Sequence, residues 1–393
     1  MQPTLRFPEF KDEWSYNLFS NIVTNKSKKF NPSKEPATND IELDSIEQNT
    51  GRLLNTYMSN QFTSQKNIFN KNSVLYSKLR PYLNKYYYSQ IDGVCSSEIW
   101  VLNTLNKDVL SNKFLYYFIQ TNRFSSVANK SAGSKMPRAD WGLVENIRLY
   151  KGTIEEQEKI GEFFRKIDRQ IELEEKKLEL LDQQKKGYMQ KIFSQELRFK
   201  DENGNEYSKW VTQKIKELGN VYTGNTPSKK QSANWNSNNY IWVTPTDINN
   251  KKDIKNSEYM LSDEGFKKAR QLPKNTLLIT CIASIGKNAI LREVGSCNQQ
   301  INALVPNNDK NVDFLYYAFE KVSKYMKRIA GKTATQIVNK STFENISIEV
   351  PNLEEQLKIG IFLNSFDKLI EKKVSKIELL KQRKQGLLQK MFV

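Results

Sequence analysis

Ile154 to Phe193 reads IEEQEKIGEFFRKIDRQIELEEKKLELLDQQKKGYMQKIF, and Leu353 to Phe392 reads LEEQLKIGIFLNSFDKLIEKKVSKIELLKQRKQGLLQKMF. The two stretches align without a gap at an offset of 199 residues (353 less 154), and about half their positions are identical, which marks an internal duplication. Alternating steps of four and three pick out Ile160, Phe164, Ile167, Ile171, Glu174, Leu178, Leu181, Lys185, Tyr188 and Ile192 in the first copy. The same steps pick out Ile359, Leu363, Phe366, Ile370, Lys373, Ile377, Leu380, Lys384, Leu387 and Met391 in the second. A mostly apolar a/d seam sustained this long predicts a coiled-coil helix in each copy. At about 1.5 Å per residue each helix runs roughly 55–60 Å.

The seam carries a charge at its middle, Glu174 in one copy and Lys373 in the other. An unpaired charge there is costly. Antiparallel pairing about a pseudo-twofold axis brings these equivalent positions together, so that they neutralise each other and set the register. The plainer reading has both side chains snorkel out of a loose seam.

Working outward, 393 residues give room for two or three domains. A formal charge of +17 and a sequence pI near 9.4 point to an extended anionic partner, with nucleic acid first. Cys95, Cys281 and Cys297 stand far apart with no CxxC, which argues for a reducing compartment and against a disulfide framework or zinc finger. The N-terminal MQPTLRFPEFKDEW has no apolar signal core, and no run approaches eighteen apolar residues, so a soluble, cytoplasmic protein is expected.

Histidine is absent, which removes histidine-based triads, imidazole acid/base chemistry and histidine metal ligands together. Ala330-Gly331-Lys332-Thr333 resembles the end of a phosphate loop, but the earlier glycine that the loop needs falls at Met326. No GxGxxG follows a strand. No Asp/Asn-Pro-Pro-aromatic motif of an amino-methyltransferase occurs, and Asn31-Pro32-Ser33-Lys34 is only a polar loop. The expectation is a non-catalytic chain without a metal site.

The segments flanking the helices repeat too, more weakly. Leu197-Arg198-Phe199 echoes Leu5-Arg6-Phe7, Trp210 echoes Trp14, and Phe314-Leu315-Tyr316-Tyr317 matches Phe114-Leu115-Tyr116-Tyr117. At an offset near 202, Lys287 falls on Lys85, Gly295 on Gly93, Cys297 on Cys95 and Leu304 on Leu102. The expected organisation is a first domain over 1–152, a central helix over 153–195, a second domain over 196–351 and a further helix over 352–393. The fold class is α+β: two similar mixed α/β domains separated by two long helices in an antiparallel coiled coil, with pseudo-twofold internal symmetry. Helices that stay alike while the domains diverge suggest a fixed ruler carrying two readers of different things. On a duplex of about 34–36 Å per turn, the rod would hold its readers one to one-and-a-half turns apart.

This arrangement resembles the DNA-specificity subunit of type I restriction–modification systems, over essentially the whole chain. The resemblance rests on the duplicated helix starts Thr153-Ile154-Glu155-Glu156-Gln157 and Pro351-Asn352-Leu353-Glu354-Glu355-Gln356, and on Val74 to Leu83 (VLYSKLRPYL). It rests also on Ser284-Ile285-Gly286-Lys287 followed by Cys297-Asn298-Gln299-Gln300-Ile301-Asn302. It implies a non-catalytic subunit whose two target-recognition domains each read one half of a split, non-palindromic site, with the helices setting the gap. It further implies two modification subunits that bind S-adenosylmethionine and methylate adenine, and two restriction subunits that use ATP and Mg. No cofactor is then bound by this chain.

Base reading needs side chains that hydrogen-bond groove edges, while cations on phosphates set affinity. The DNA-binding candidates are Lys78, Arg80, Lys85, Tyr87, Ser134, Lys135 and Arg138 in the first domain. In the second they are Thr223, Asn225, Thr226, Ser228, Lys229, Lys230, Lys287, Lys332, Thr333 and Gln336. Any one of them is as readily a solvated surface residue. Tyr86-Tyr87-Tyr88 suits a half-buried core better than a stacking platform, and at least one of Asn298-Gln299-Gln300 is expected to brace the fold. The outer helix faces are expected to receive the modification subunits, with Gly161/Gly360 and Gly187/Gly386 as points of close approach. The competing reading is a structural adaptor whose basic surface meets nucleic acid without sequence preference.

Overall fold

The structure is a computed structural model, described here for all residues except 131–135, 236, 250 and 331–336. It divides into two compact units. One comprises Met1–Lys177 with Val374–Val393, the other Leu178–Lys373.

Two helices dominate the chain, Ile154–Phe193 and Leu353–Met391. Both open with two glutamates in the first turn and close with a lysine in the last, which suits the helix dipole at each end. Each passes from one unit to the other, so every unit holds the first half of one helix and the second half of its mate. In the first unit Asp168 meets Lys384 while Glu175, further along, meets Lys381. In the second unit Lys185 meets Asp367, and Tyr188 packs against Phe362 and Phe366. Partner numbers fall as helix numbers rise, so the pairing is antiparallel.

Every predicted seam position is buried or half-buried except Tyr188, which is 39% exposed. Glu174 is buried and accepts from Lys376 Nζ at 2.8 Å, a partner that the heptad pattern alone does not single out.

Besides the antiparallel pair Ser15–Leu18 and Arg148–Lys151, the first domain builds two larger sheets. One orders Val23–Thr24, Ile99–Thr104, Val74–Ser77 and Tyr86–Tyr88, all antiparallel. The other orders Lys29–Phe30, Lys66–Phe69, Gly93–Ser96, Asn39–Ile41 and Tyr57–Met58, with Asn39–Ile41 parallel to Gly93–Ser96. The run Asn112–Phe118 forms a helix whose residues Phe114 to Phe118 are all buried, as its unbroken apolar character requires. The first domain's core closes over Ile160 and Phe164 from one long helix and Leu388 and Met391 from the other, with Phe392 just past its end.

The second domain repeats this plan. Gly219–Thr223, Ile301–Pro306, Thr276–Thr280 and Asn288–Leu291 lie in one sheet, with Asp253–Ile254 added at its edge. Tyr259–Leu261, Tyr240–Val243 and Gly295–Cys297 form a three-stranded sheet, and Val211–Lys214 pairs with Ser347–Val350. Its principal core takes Ile192, Phe193, Ile359 and Leu363 from the long helices. Cys95, Cys281 and Cys297 are free and buried, and burial pushes the Cys281 and Cys297 thiols up to about 12. Among the described residues no helix is long and apolar enough to cross a membrane.

Candidate nucleic-acid interface

The duplicated helix starts turn out to be internal fasteners. Glu156 is fully buried and takes both Arg6 (2.7 and 2.8 Å) and the Trp14 indole (3.0 Å). Glu355 is fully buried and takes Arg198 (3.1 and 2.6 Å) and the Trp210 indole (3.2 Å) in the same way. The next residue repeats as well. Gln157 accepts from Ser111 N and donates to the Val109 and Gly152 carbonyls, and Gln356 accepts from Asn311 N and donates to those of Asp309 and Pro351. Farther along, Asp168 accepts from the Tyr117 hydroxyl and pairs with Lys384, and Asp367 accepts from the Tyr317 hydroxyl and pairs with Lys185. Burial first, with the neighbouring aspartate, pushes both phenols far above their ordinary value. These buried polar groups fasten helix to domain, so they are not free to meet DNA.

The charged surface of the first domain gathers at one edge. Pro81 opens a short 3-10 turn over Pro81–Leu83, and Arg80 before it is turned into the left-handed region at φ 50°. Arg80 N–H donates to Pro137 O at 2.8 Å, Ala139 N–H to Lys78 O at 2.7 Å, and Leu79 bridges Arg138. The 78–80 and 137–139 segments are thereby clamped side by side, which sets Lys78, Arg80 and Arg138 together. Glu98, which is not among the sequence candidates, stands between Lys78 and Arg138. Arg138 Nε and Nη2 donate to its two carboxylate oxygens at 3.0 and 3.1 Å, and Lys78 Nζ lies 4.0 Å away. Arg80 and Arg138 are exposed.

The same backbone frame recurs in the second domain. Val338 N–H donates to Cys281 O, Cys281 N–H to Gln300 O, and Ile282 bridges Ile337. Ala283 sits at φ 62°, the counterpart of Arg80. Position for position, Lys78, Arg80, Glu98 and Arg138 are answered by Cys281, Ala283, Gln300 and Ile337. The frame is shared; the charges are not.

The second domain carries its cations on another loop. A Cβ on Gly224 would lie 2.2 Å from Asn298 O, so only glycine lets this loop pass. Thr223 Oγ1 donates to Asn302 Oδ1, and Asn225 both donates to Lys268 O and accepts from Arg270 N, which makes these two candidates braces. Thr226 donates to Gln299 Oε1 at 2.6 Å, and the Ser228 carbonyl accepts from Asn234 and the Trp235 indole. Lys229 stands over an aromatic floor, 5.0 Å from the Tyr259 ring and 5.9 Å from that of Trp242. Lys230 and Lys287 are exposed. Asn298 is buried and bonded to Gln300, so it is one of the bracing amides.

Two first-domain candidates lie away from the charged edge. Tyr87 is only 8% exposed within the smaller core, and Lys85 spends its ammonium on the Leu43 carbonyl. Ser134, Lys135, Lys332, Thr333 and Gln336 fall outside the described residues. Neither Glu98 nor the floor under Lys229 is legible in the sequence, because both reach the candidate cations only through pairing between distant segments. Among the described residues no group of histidine, cysteine and acidic side chains could hold a metal.

Two domains of one frame, each with a different polar edge, and two fastened helices match the type I restriction modification DNA specificity domain twice, over residues 19–183 and 207–382. The chain belongs to this family. It is similar to the MjaIX specificity subunit of Methanocaldococcus jannaschii, 33% identical over 208 residues that cover 51% of this chain and 48% of that one. It is also similar to the MjaVIII specificity subunit of the same organism, 25% identical over 323 residues, or 75% of this chain and 72% of the other. The matched segment thus spans about half the length of the first relative. A solved type I restriction–modification S subunit from M. genitalium shares the fold, with a TM-score of 0.59 at 16% identity over 100% of this chain and 99% of that one.

Proposed function

We propose that this specificity-family chain is the DNA-reading subunit of a type I restriction–modification complex, a non-catalytic protein of the cytoplasm that recognises a bipartite, non-palindromic duplex. The observation that carries this reading is the pair of edges on one shared frame: Lys78, Arg80, Glu98 and Arg138 in one domain, Cys281, Ala283, Gln300 and Ile337 in the other. A sequence-independent binder has no use for two such different edges, since phosphate contacts need only cations. Lys229, Lys230 and Lys287, and beyond the described residues Ser134, Lys135, Lys332, Thr333 and Gln336, extend the proposed contact set.

The partners follow from the same reading: two methyltransferase subunits, which bring S-adenosylmethionine, and two restriction subunits, which bring ATP and Mg. Gly187 and Gly386 support docking on the long helices. A Cβ at either would meet nothing within 4 Å in this chain, yet a mid-helix glycine costs about 1 kcal/mol against alanine. Mapping methylated adenines in a host that carries the active system should return one bipartite motif with a constant gap. An active strain with no such motif would sink the proposal.

A further inference from the structure

Glu98 is a carboxylate placed where carboxylates are least welcome. It sits between Lys78 and Arg138, with Arg80 two residues from Lys78, at an edge of a chain with formal charge +17. For phosphate binding it is a liability, because it repels the backbone and occupies two nearby cations. Its side chain is about one quarter exposed (27%), so it is accessible at the edge. The fork it makes with Arg138 leaves capacity on both sides. Each carboxylate oxygen keeps a lone pair, and the guanidinium, with two of its N–H groups engaged, keeps others to donate. One planar unit therefore offers an acceptor beside a set of donors.

That pattern has a complement in the major groove. Cytosine presents its N4 amino donor there, and guanine its O6 and N7 acceptors on the same base pair. We propose that the Glu98–Arg138 pair is the base-reading element of the first domain, with Glu98 accepting from cytosine N4 and Arg138 donating to the paired guanine, so that one half of the target contains an obligatory C·G pair. Lys78 steadies the carboxylate, and Arg80 supplies phosphate contact. The second domain holds neutral Gln300 and Ile337 at these positions and does not read a C·G pair through them. The inference rests on the DNA-reading function proposed above.

The test uses the subunit assembled with its methyltransferase partners, selecting from duplexes randomised in one half-site at a time. The wild-type complex should show one invariant C·G pair in the half-site read by the first domain. Glu98→Gln should lower discrimination at that pair about 10- to 100-fold, leaving the other positions and the other half-site as they were. Arg138→Lys keeps the charge but removes the fork, and should relax the same pair; it carries the test where Glu98→Gln does not fold. The inference is overturned by an unchanged preference in both variants, by uniform loss of binding to all sequences in a folded variant, or by a wild-type half-site without an invariant C·G pair. A wild-type complex that selects no bipartite duplex overturns the function itself.

Discussion

Glu156 and Glu355 do the same work with the same partners, whereas Glu98 and Gln300 occupy one backbone position with different chemistry. The difference lies in burial. Glu156 and Glu355 have no exposed surface, so removing either strands an arginine and an indole inside the protein. Glu98 and Gln300 are only half-buried, so water reaches whatever partner a substitution there releases. Lys113, about as exposed as Glu98, pairs with Glu158 and Glu162, while its counterpart Asp313 pairs with Lys252 and Arg292. There the sign of the charge has inverted together with its partners. A duplicated framework thus keeps its fully buried polar contacts and lets its half-buried ones differ, some of them together with their partners.

The severest way to break this comparison is to remove the fasteners. Glu156→Ala should cost about 3–5 kcal/mol, because it takes the carboxylate from both Arg6 and the Trp14 N–H; Glu355→Ala should cost a comparable or slightly smaller amount, because Arg198 keeps the Ser208 carbonyl at 2.7 Å. Chemical denaturation of the two variants measures it; a large inequality would mean that the fasteners are not equivalent.

A middling effect should come from Asp313. Burial opposes its charge, but Lys252 and Arg292 together hold its carboxyl below the ordinary value of 3.8. A folded-state value below the unfolded one means that the stabilisation is complete above about pH 4 and is lost as pH falls through the folded value. Asp313→Asn should therefore cost about 1.5–3 kcal/mol at pH 7, with the gap to wild type closing under acid, as denaturation at both pH values would record. Asp253, which also holds Arg292, softens the loss. Lys113 has the opposite sign. Burial works against its charge, yet Glu162 and Glu158 raise it above 10.5, so its contribution fades at alkaline pH instead.

The smallest effect sharpens the comparison along the helices. Gly187→Ala and Gly386→Ala should raise the stability of the isolated chain by about 0.5–1 kcal/mol each, since nothing crowds the new methyl. Gly161→Ala and Gly360→Ala should show no such gain, because the methyl would meet Lys113 or Asn311 at 2.8 Å. Thermal melts of the four variants separate the pairs. Weakened assembly with the methyltransferase subunits in the first pair alone would mark those glycines as docking points.

The sequence by itself determined the duplication, the two helices and their seam, and the α+β pattern of the domains, because periodicity and internal identity are local and survive without coordinates. Its net charge also suggested an extended anionic partner. Only the tertiary structure decided that the repeated Glu-Gln of each helix start faces inward, that Asn225 and Lys85 are braces, and that Glu98 stands among the first domain's cations. Those outcomes depend on which distant strands pair and which side chains lose contact with water. A glutamate reads the same in sequence whether it is buried under an arginine or left half-exposed between two cations; its surroundings make the distinction.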